Sequence, residues 1–263
     1  MGSRRLLSMI TEFCYMVLFM KYVLSISFGK DSLALFIKLI EKKYPLDYVL
    51  FYNTGMEFDS IYTIRDKVKA VCKTKGISYV ELEPERPFLY DMLEKPVNKK
   101  DGSIQYGYQW CGGVTRWGTS AKTTACNKFY KQFGDETVIE YIGIASDELQ
   151  RVDRSKRTKT IKLYPLIEWG MTENDCLVTC YKNGYSWVED GIDLYTVLDR
   201  VSCWCCSNKN LKELYNIWRY LPTYWNRLKD LQSKIDRPMK DPYSVFDLED
   251  RFLKQFEEEF LNE

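Results

Sequence analysis

The sequence predicts an α/β protein: a doubly wound, mostly parallel sheet followed by a Cys-rich helical C-terminal part. Three observations predict it. Short apolar runs rich in β-branched and aromatic residues alternate with amphipathic stretches of helical length. A Gly-containing turn, Ser27-Phe28-Gly29-Lys30-Asp31-Ser32, separates the first apolar run from the first helix. Most of the Trp and Cys residues fall beyond residue 165. The 263 residues, 45% of them hydrophobic, suffice for one large core with an appendage.

The elements follow in order. Tyr22–Ile26 reads as a buried strand, and Leu33–Ile40 as an apolar helix. Asp47–Tyr52 is a second strand, ending at Asn53-Thr54-Gly55. Residues 59–75 form a helix with Ile61, Ile64, Val68 and Val71-Cys72 on one side. Ser78–Leu82 and Thr137–Ile144 are the third and fourth strands. Between them, residues 85–135 are punctuated by Pro87, Pro96, Gly102, Gly107, Gly112, Gly113 and Gly118, and read as a long excursion that can serve as a lid or substrate loop. Residues 165–232 read as mostly helical. A last helix, about 244–262, spaces Leu248, Phe252, Phe256 and Phe260 at i+4, a stripe for packing on the core or for a homodimer.

Residues 1–19 stand apart. Arg4 and Arg5 precede an apolar stretch, but Glu12 interrupts it and no small-residue cleavage site follows, so neither a secretion signal nor a membrane span is expected. The expected division is an extension over 1–19, a nucleotide-binding α/β domain over 20–170, and a Cys-rich helical region over 171–263 packed on it. The expected location is cytoplasmic.

Composition narrows the chemistry. Histidine is absent, which removes Ser-His triads, Cys-His dyads and His-ligated zinc. A net charge of +1 gives no global pull toward nucleic acid or membrane. Locally, Arg151, Arg154, Lys156, Arg157, Lys159 and Lys162 crowd together, as a solvated loop or as a phosphate or nucleic-acid contact. Nine cysteines, an odd number, fit reduced thiols with a metal role better than a disulfide scaffold.

The turn after the first strand is built for an anion. Gly29 lets the backbone approach a phosphate, and N–H groups at a helix start point toward it. Ser27 and Ser32 add hydroxyls and Lys30 a positive charge. The loop is too short for a Walker A motif. Phe28 and Asp31 complete the candidate phosphate site. Asp147 and Glu148 end the fourth strand on the same sheet edge. One of them can hold Mg²⁺ on phosphate oxygens or anchor Arg151, which can itself pair with phosphate.

Cys203 and Cys206 form a C-x-x-C pair in Val201-Ser202-Cys203-Trp204-Cys205-Cys206-Ser207. Cys111 lies beside Gly112-Gly113, and Cys180 follows Cys176 at i+4. Without histidine, Cys111, Cys180, Cys203 and Cys206 are the simplest closed set of four thiolates, with Cys176 and Cys205 as substitutes. Such a set suits a [4Fe–4S] cluster or a zinc ion.

Ser27-Phe28-Gly29-Lys30-Asp31-Ser32 resembles the S-x-G-K-D-S pyrophosphate loop of the ATP pyrophosphatases and phosphoadenosine phosphosulfate reductases. Asn53-Thr54-Gly55-Met56-Glu57-Phe58 resembles the D-T-G-x-x-F segment of that family. Gly143–Arg151 resembles its G-I-R-x-D-E-x-x-R, with Ala145 for the first Arg, and Tyr164–Trp169 its P-L-x-x-W. Trp110-Cys111-Gly112-Gly113 with Arg116 and Lys122 is similar to its Cys-containing segment. Beyond residue 200, the chain is similar to a branch that includes the sulfurtransferases of DNA phosphorothioation, which carry four cluster cysteines. The family's nucleophilic cysteine in a Gly-Leu-His tail is absent.

The resemblance implies an adenine nucleotide alpha hydrolase-like, PP-loop fold binding ATP or a related adenine nucleotide with Mg²⁺. Thr54 and Gly55 would line the adenosine pocket. Lys30, Asp147, Glu148 and Arg151 would act at the α-phosphate. The implied activity is acceptor activation for sulfur transfer, assisted by the cysteine-held cluster. The alternatives are sulfonucleotide reduction and a non-catalytic nucleotide-binding subunit with a structural metal. Implied partners are a cysteine desulfurase or other sulfur donor, with nucleic acid among the acceptors.

Overall fold

The computed structural model describes residues 20–112, 115–152 and 160–261. The expected extension over 1–19 and four of the basic residues, Arg154, Lys156, Arg157 and Lys159, lie outside the described residues. The elements in order are β1 (Met20–Ile26), α1 (Lys30–Glu41), β2 (Tyr48–Tyr52), α2 (Asp59–Lys75), β3 (Ser78–Leu82), α3 (Phe88–Leu93), β4 (Pro96–Asn98), β5 (Ile104–Tyr106) and α4 (Trp117–Tyr130). Then come β6 (Thr137–Ile142), β7 (Thr160–Leu163), α5 (Pro165–Glu168), α6 (Glu173–Lys182), β8 (Val188–Glu189), β9 (Ile192–Asp193), α7 (Leu194–Val197), α8 (Leu211–Tyr220), α9 (Pro222–Gln232) and α10 (Val245–Leu261). No helix among the described residues is long and apolar enough to cross a membrane.

The chain folds as two compact units that are interleaved in sequence. The first holds the described residues up to Tyr52, with Ile64–Leu82 and Cys126–Tyr185. Its sheet is parallel throughout, in the order β3-β2-β1-β6-β7, with helices on both sides, which is the doubly wound class expected. The fifth strand, β7, was not foreseen. It is short and lies at the sheet edge, and its Lys162 places it in the basic run.

Alternation along the strands divides the core. Val23, Leu50 and Val138 turn to one face, where Phe133, Phe129 and Tyr130 cover them. On that face Glu140 is 8% exposed, and its carboxylate accepts from Ser25 Oγ at 2.6 Å, Tyr130 Oη at 2.8 Å and Thr160 Oγ1 at 3.3 Å. Three hydroxyls satisfy a buried carboxylate that would otherwise be costly. Leu24, Ile26, Val49, Phe51, Ile139 and Tyr141 turn to the opposite face and are buried. α1 packs between β1 and α6, which explains why it is apolar nearly all round.

β1 and β6 are neighbours at the centre, but the chain leaves them in opposite directions across the sheet. This is the switch point at which open α/β sheets leave a crevice. Ser25 lies opposite Ile142, so the loops after both strands start level with each other. They approach so closely that a Cβ on Gly143 would sit 2.7 Å from Ser32 Cα and 2.8 Å from Ser32 N.

The second unit comprises Asn53–Thr63, Glu83–Ala125 and Ser186–Glu263. It contains the β4–β5 and β8–β9 hairpins and the helices α8, α9 and α10. Leu248 and Phe252 of α10 are buried, whereas Phe256 is half-exposed, and the Phe260 side chain lies outside the described residues.

Gly143→Ala should destabilise the protein by about 1–3 kcal/mol, because the obstructing atoms are backbone. Thermal unfolding measures this, and a melting temperature equal to wild type would show that the two loops can separate.

Candidate nucleotide and thiol sites

In the first unit, β1 runs directly into the phosphate loop. Phe28, not Gly29, carries the left-handed backbone, with φ of 58°. Its ring is fully buried and packs edge-on against Phe51, with centroids 4.8 Å apart, which holds an unfavourable conformation in place. Gly29 has an extended backbone that any residue adopts, so its contribution is the missing Cβ. As N-cap of α1 it offers no side chain to the first-turn N–H groups. Ser32 Oγ lies 3.2 Å from both the amide and the hydroxyl of Ser27 and donates to Gly29 O at 3.1 Å, which closes the loop.

The charges of this loop are arranged more tightly than the sequence suggested. Lys30 is buried, with Nζ 3.3 Å from Glu173 Oε2 and 3.6 Å from Asp31 Oδ1. Asp31, Glu148 and Glu173 each bring a carboxylate oxygen within 4.8 Å of the others, the one such trio of ligand-type groups among the described residues. These three can hold a divalent cation. Glu148 pairs with Arg151, so anchoring Arg151 is a role it does fill. Asp147 instead accepts from Glu173 N at 3.1 Å at the start of α6 and is a helix cap. Glu173 was missed in the sequence. Its signal was the capping box of Thr172 and Asp175, which marks a helix start but not where that start lies.

Cys176 and Cys180 of α6 are fully buried against α1 in this unit. The Cys180 thiol donates to Lys30 O at 3.4 Å, and burial pushes its pKa up to about 12. It behaves as a core donor.

The second unit gathers the other motifs. In the loop that follows β2, Thr54 Oγ1 donates to Glu57 Oε1 at 2.8 Å, and Gly55 takes φ of 77° with its N–H on Asn53 Oδ1. These bonds form a tight turn. Its far side pairs with the cysteine segment: Trp204 N donates to Met56 O at 3.0 Å, and Glu57 bridges to Cys203. Two motifs read separately in the sequence are thus one structure.

The thiols meet there. Cys203 is hydrogen-bonded through sulfur to Cys205 and Cys206, and its pKa is pushed well up, chiefly by Cys205. Cys206 is likewise raised, first by Cys203 and then by burial. Cys111 O accepts from Ser207 N and Oγ, at 3.4 and 3.1 Å, which ties its loop to theirs. Burial raises the Cys111 thiol, while the N–H groups of Gly118 and Thr119 at the start of α4 lower it. Gly112 is required here, since a Cβ would meet Ser207 Oγ at 2.2 Å. Cys111, Cys203 and Cys206 are therefore brought together with Cys205, and Cys180 belongs to the other unit.

A donor set of four thiols, with Cys203 hydrogen-bonded to two of the others, fits a thiophilic metal group. No three of these sulfurs lie within 4.8 Å of one another. A zinc tetrahedron, with Zn–S near 2.3 Å, needs sulfurs about 3.8 Å apart. A zinc ion and a [4Fe–4S] cluster would both draw on this donor set.

The Asp31 carboxyl is moved from 3.8 up to about 6, chiefly by burial, with Glu173 and Glu148 adding and Lys30 opposing. A raised carboxyl pKa favours the protonated form in the folded state. Its ionisation therefore costs stability progressively between about pH 4 and 6, and fully above. Asp31→Asn should stabilise the free protein at pH 7.5 by about 1–3 kcal/mol, with the gain vanishing below pH 4. Melting curves across pH test this; a loss of stability at pH 7.5 would contradict it.

Comparison with known proteins bears on the first of these sites. Over 217 residues, 80% of this chain, the sequence is 24% identical to an uncharacterized protein of Methanocaldococcus jannaschii. The matched stretch is 41% of that protein, so the chain spans about two fifths of its relative's length. Residues 21–177, from β1 into α6, match the phosphoadenosine phosphosulfate reductase domain. The stretch contains the phosphate loop, the Asn53–Phe58 turn and the three carboxylates, and the chain belongs to the phosphoadenosine phosphosulfate reductase domain family, a PP-loop type of adenine nucleotide-binding enzyme domain.

Proposed function

We propose that the protein is a PP-loop enzyme that binds ATP or a related adenine nucleotide, cleaves it at the α-phosphate and activates an acceptor for sulfur transfer. The observation that carries this reading is the backbone pairing of Met56 and Glu57 with Cys203 and Trp204. It joins the turn implicated in adenosine binding to the thiols. An acceptor oxygen bonds to the α-phosphorus and pyrophosphate leaves. A sulfur nucleophile then replaces that oxygen, and the nucleoside monophosphate departs with it.

The uncapped first turn of α1 and Lys30 receive the phosphates. Asp31, Glu148 and Glu173 would hold Mg²⁺, which neutralises phosphate charge. Arg151, oriented by Glu148, stabilises charge developing at the α-phosphate. Cys111, Cys203 and Cys206 would hold a [4Fe–4S] cluster, with Cys205 as the fourth thiol in reach. When bound, that group supplies redox and sulfur-binding chemistry. A cysteine desulfurase or similar donor provides the sulfur. The acceptor is a nucleobase, a nucleic-acid phosphate or a small molecule.

Sulfonucleotide reduction is the second reading, favoured by the family itself. It needs a cysteine that reaches a sulfate, and Cys205 is 2% exposed.

Lys30→Ala should weaken nucleotide binding about 10- to 100-fold, since a charge-assisted contact contributes roughly 1.5–3 kcal/mol. Calorimetry with ATP decides, and equal affinities would remove the phosphate-loop assignment. Pyrophosphate release with a sulfur donor supports the proposal, whereas sulfite release from an adenylyl sulfate supports reduction. In anaerobically purified protein, Cys111→Ser, Cys203→Ser and Cys206→Ser should each lose the metal, and Cys72→Ser should keep it. Metal analysis of Cys180→Ser beside Cys205→Ser identifies the fourth ligand. Wild-type protein without iron or zinc would end the cluster reading.

A further inference from the structure

The segment between α9 and α10 has no place in the reaction above, yet it is held with unusual care. Gln232, buried at the end of α9, uses its whole amide on it. Nε2 donates to Ile235 O at 2.8 Å and Arg237 O at 3.1 Å, and Oε1 accepts from Met239 N and Val245 N at 3.1 and 3.3 Å. This fixes Arg237 and Lys240 in position. The Arg237 guanidinium spans the Cys111 loop: Nη2 donates to Trp110 O, and Nη1 to Thr115 Oγ1 at 3.0 Å. Trp110 returns a bond from Nε1 to Arg237 O at 3.0 Å. Lys240 Nζ donates to Ser207 O, one residue beyond Cys206. A third cation, Lys209, is 3% exposed, with Nζ 3.5 Å from Arg200 O and 5.4 Å from the Phe58 ring centre.

These three cations share one feature. Among the described residues none of them makes an ion pair with a carboxylate, and their acceptors are carbonyl and hydroxyl oxygens and an aromatic face. Buried or half-buried cations normally sit beside a counter-anion, because desolvating a lone charge is costly. The groups around them are chiefly thiols: Arg237 acts on Cys111, Lys209 on Cys203 and Cys206, and Lys240 on Cys206, while one buried carboxylate, Glu213, also acts on Lys240. Glu213, whose carboxylate accepts from Arg200 N and Asn210 N, sets one negative charge against the three cations. Four thiolates on a metal group of charge +2 leave a net charge of −2, which balances the remainder.

We propose that Lys209, Arg237 and Lys240 are the built-in counter-charge of the thiol site, and that Arg237 in addition positions Cys111 by bracing the loop on both sides of it. This rests on the metal reading above. It assigns the segment after α9, beyond the matched family domain, to retention of the metal group and to setting its redox potential. Net charge and local hydrogen bonding are among the determinants of that potential.

The test uses the full chain, reconstituted anaerobically with ferrous iron and sulfide. Lys240→Met and Lys209→Met should retain iron but stabilise the oxidised form. The midpoint should fall by at least a tenfold change in the oxidised-to-reduced ratio, 59 mV for one electron. Stripping by a chelator should be at least tenfold faster, and Lys240→Arg should restore both values. Arg237→Met should lose most of the iron, while Arg237→Lys, which keeps the charge without the fork, should recover only part of it. If Lys240→Met does not fold, Lys209→Met and Lys240→Arg still carry the comparison. Midpoints and stripping rates equal to wild type in the lysine variants overturn the counter-charge while leaving the metal reading intact. A wild-type chain that takes up no iron overturns both.

Discussion

The parallel pairing of β1 with β6 is the constraint on which the nucleotide site depends. It places two strands that diverge in topology side by side and in register, with Ser25 opposite Ile142. The loops that follow must then share the space above one crevice. Gly143 permits this, since its α-carbon lies where no Cβ can fit against the first turn of α1. Every charged group of the site is held by the same meeting. Lys30 and Asp31 start α1, Asp147 and Glu148 follow β6, and Glu173 starts α6, which packs on α1.

The resulting electrostatics crowd negative charge at one point of the site. Three carboxylates within 4.8 Å of one another are partly offset by Lys30 and Arg151, and Asp31 is shifted toward its protonated form. A carboxyl placed in this way weakens the free fold at neutral pH. A bound cation and the phosphates it neutralises would relieve the repulsion and release Lys30 from its pairs. Stability sacrificed locally in this manner is a common property of binding sites.

The second unit has the opposite imbalance. Its thiols sit among cations that form no ion pair with a carboxylate among the described residues, and the backbone of the Asn53–Phe58 turn is paired to the cysteine segment. The close ties between Cys111, Ser207, Arg237 and Lys240 link residues far apart in the chain by hydrogen bonds to main-chain atoms. Main-chain acceptors carry no residue identity, so such ties leave no pairwise trace in a single sequence.

Local pattern determined much of this protein. Alternating strands and helices, the Gly-Lys turn after β1 and the spacing of the C-x-x-C are visible without coordinates, because each arises from neighbours in the chain. The doubly wound sheet, the phosphate loop and three of the clustered cysteines were legible for that reason. Only the tertiary structure decided the rest. β7 is a short, cationic edge strand whose place comes from pairing with β6 rather than from its own pattern. Phe28 takes the left-handed turn expected of a glycine because Phe51 secures its ring. Asp147 caps α6 while Glu173, unremarkable in the sequence, joins the acidic trio. Cys180, which the spacing of thiols alone could assign to a metal, gives its hydrogen to Lys30 O in the first unit. In each case the deciding partner lies many residues away, and long-range packing, not local propensity, sets the outcome.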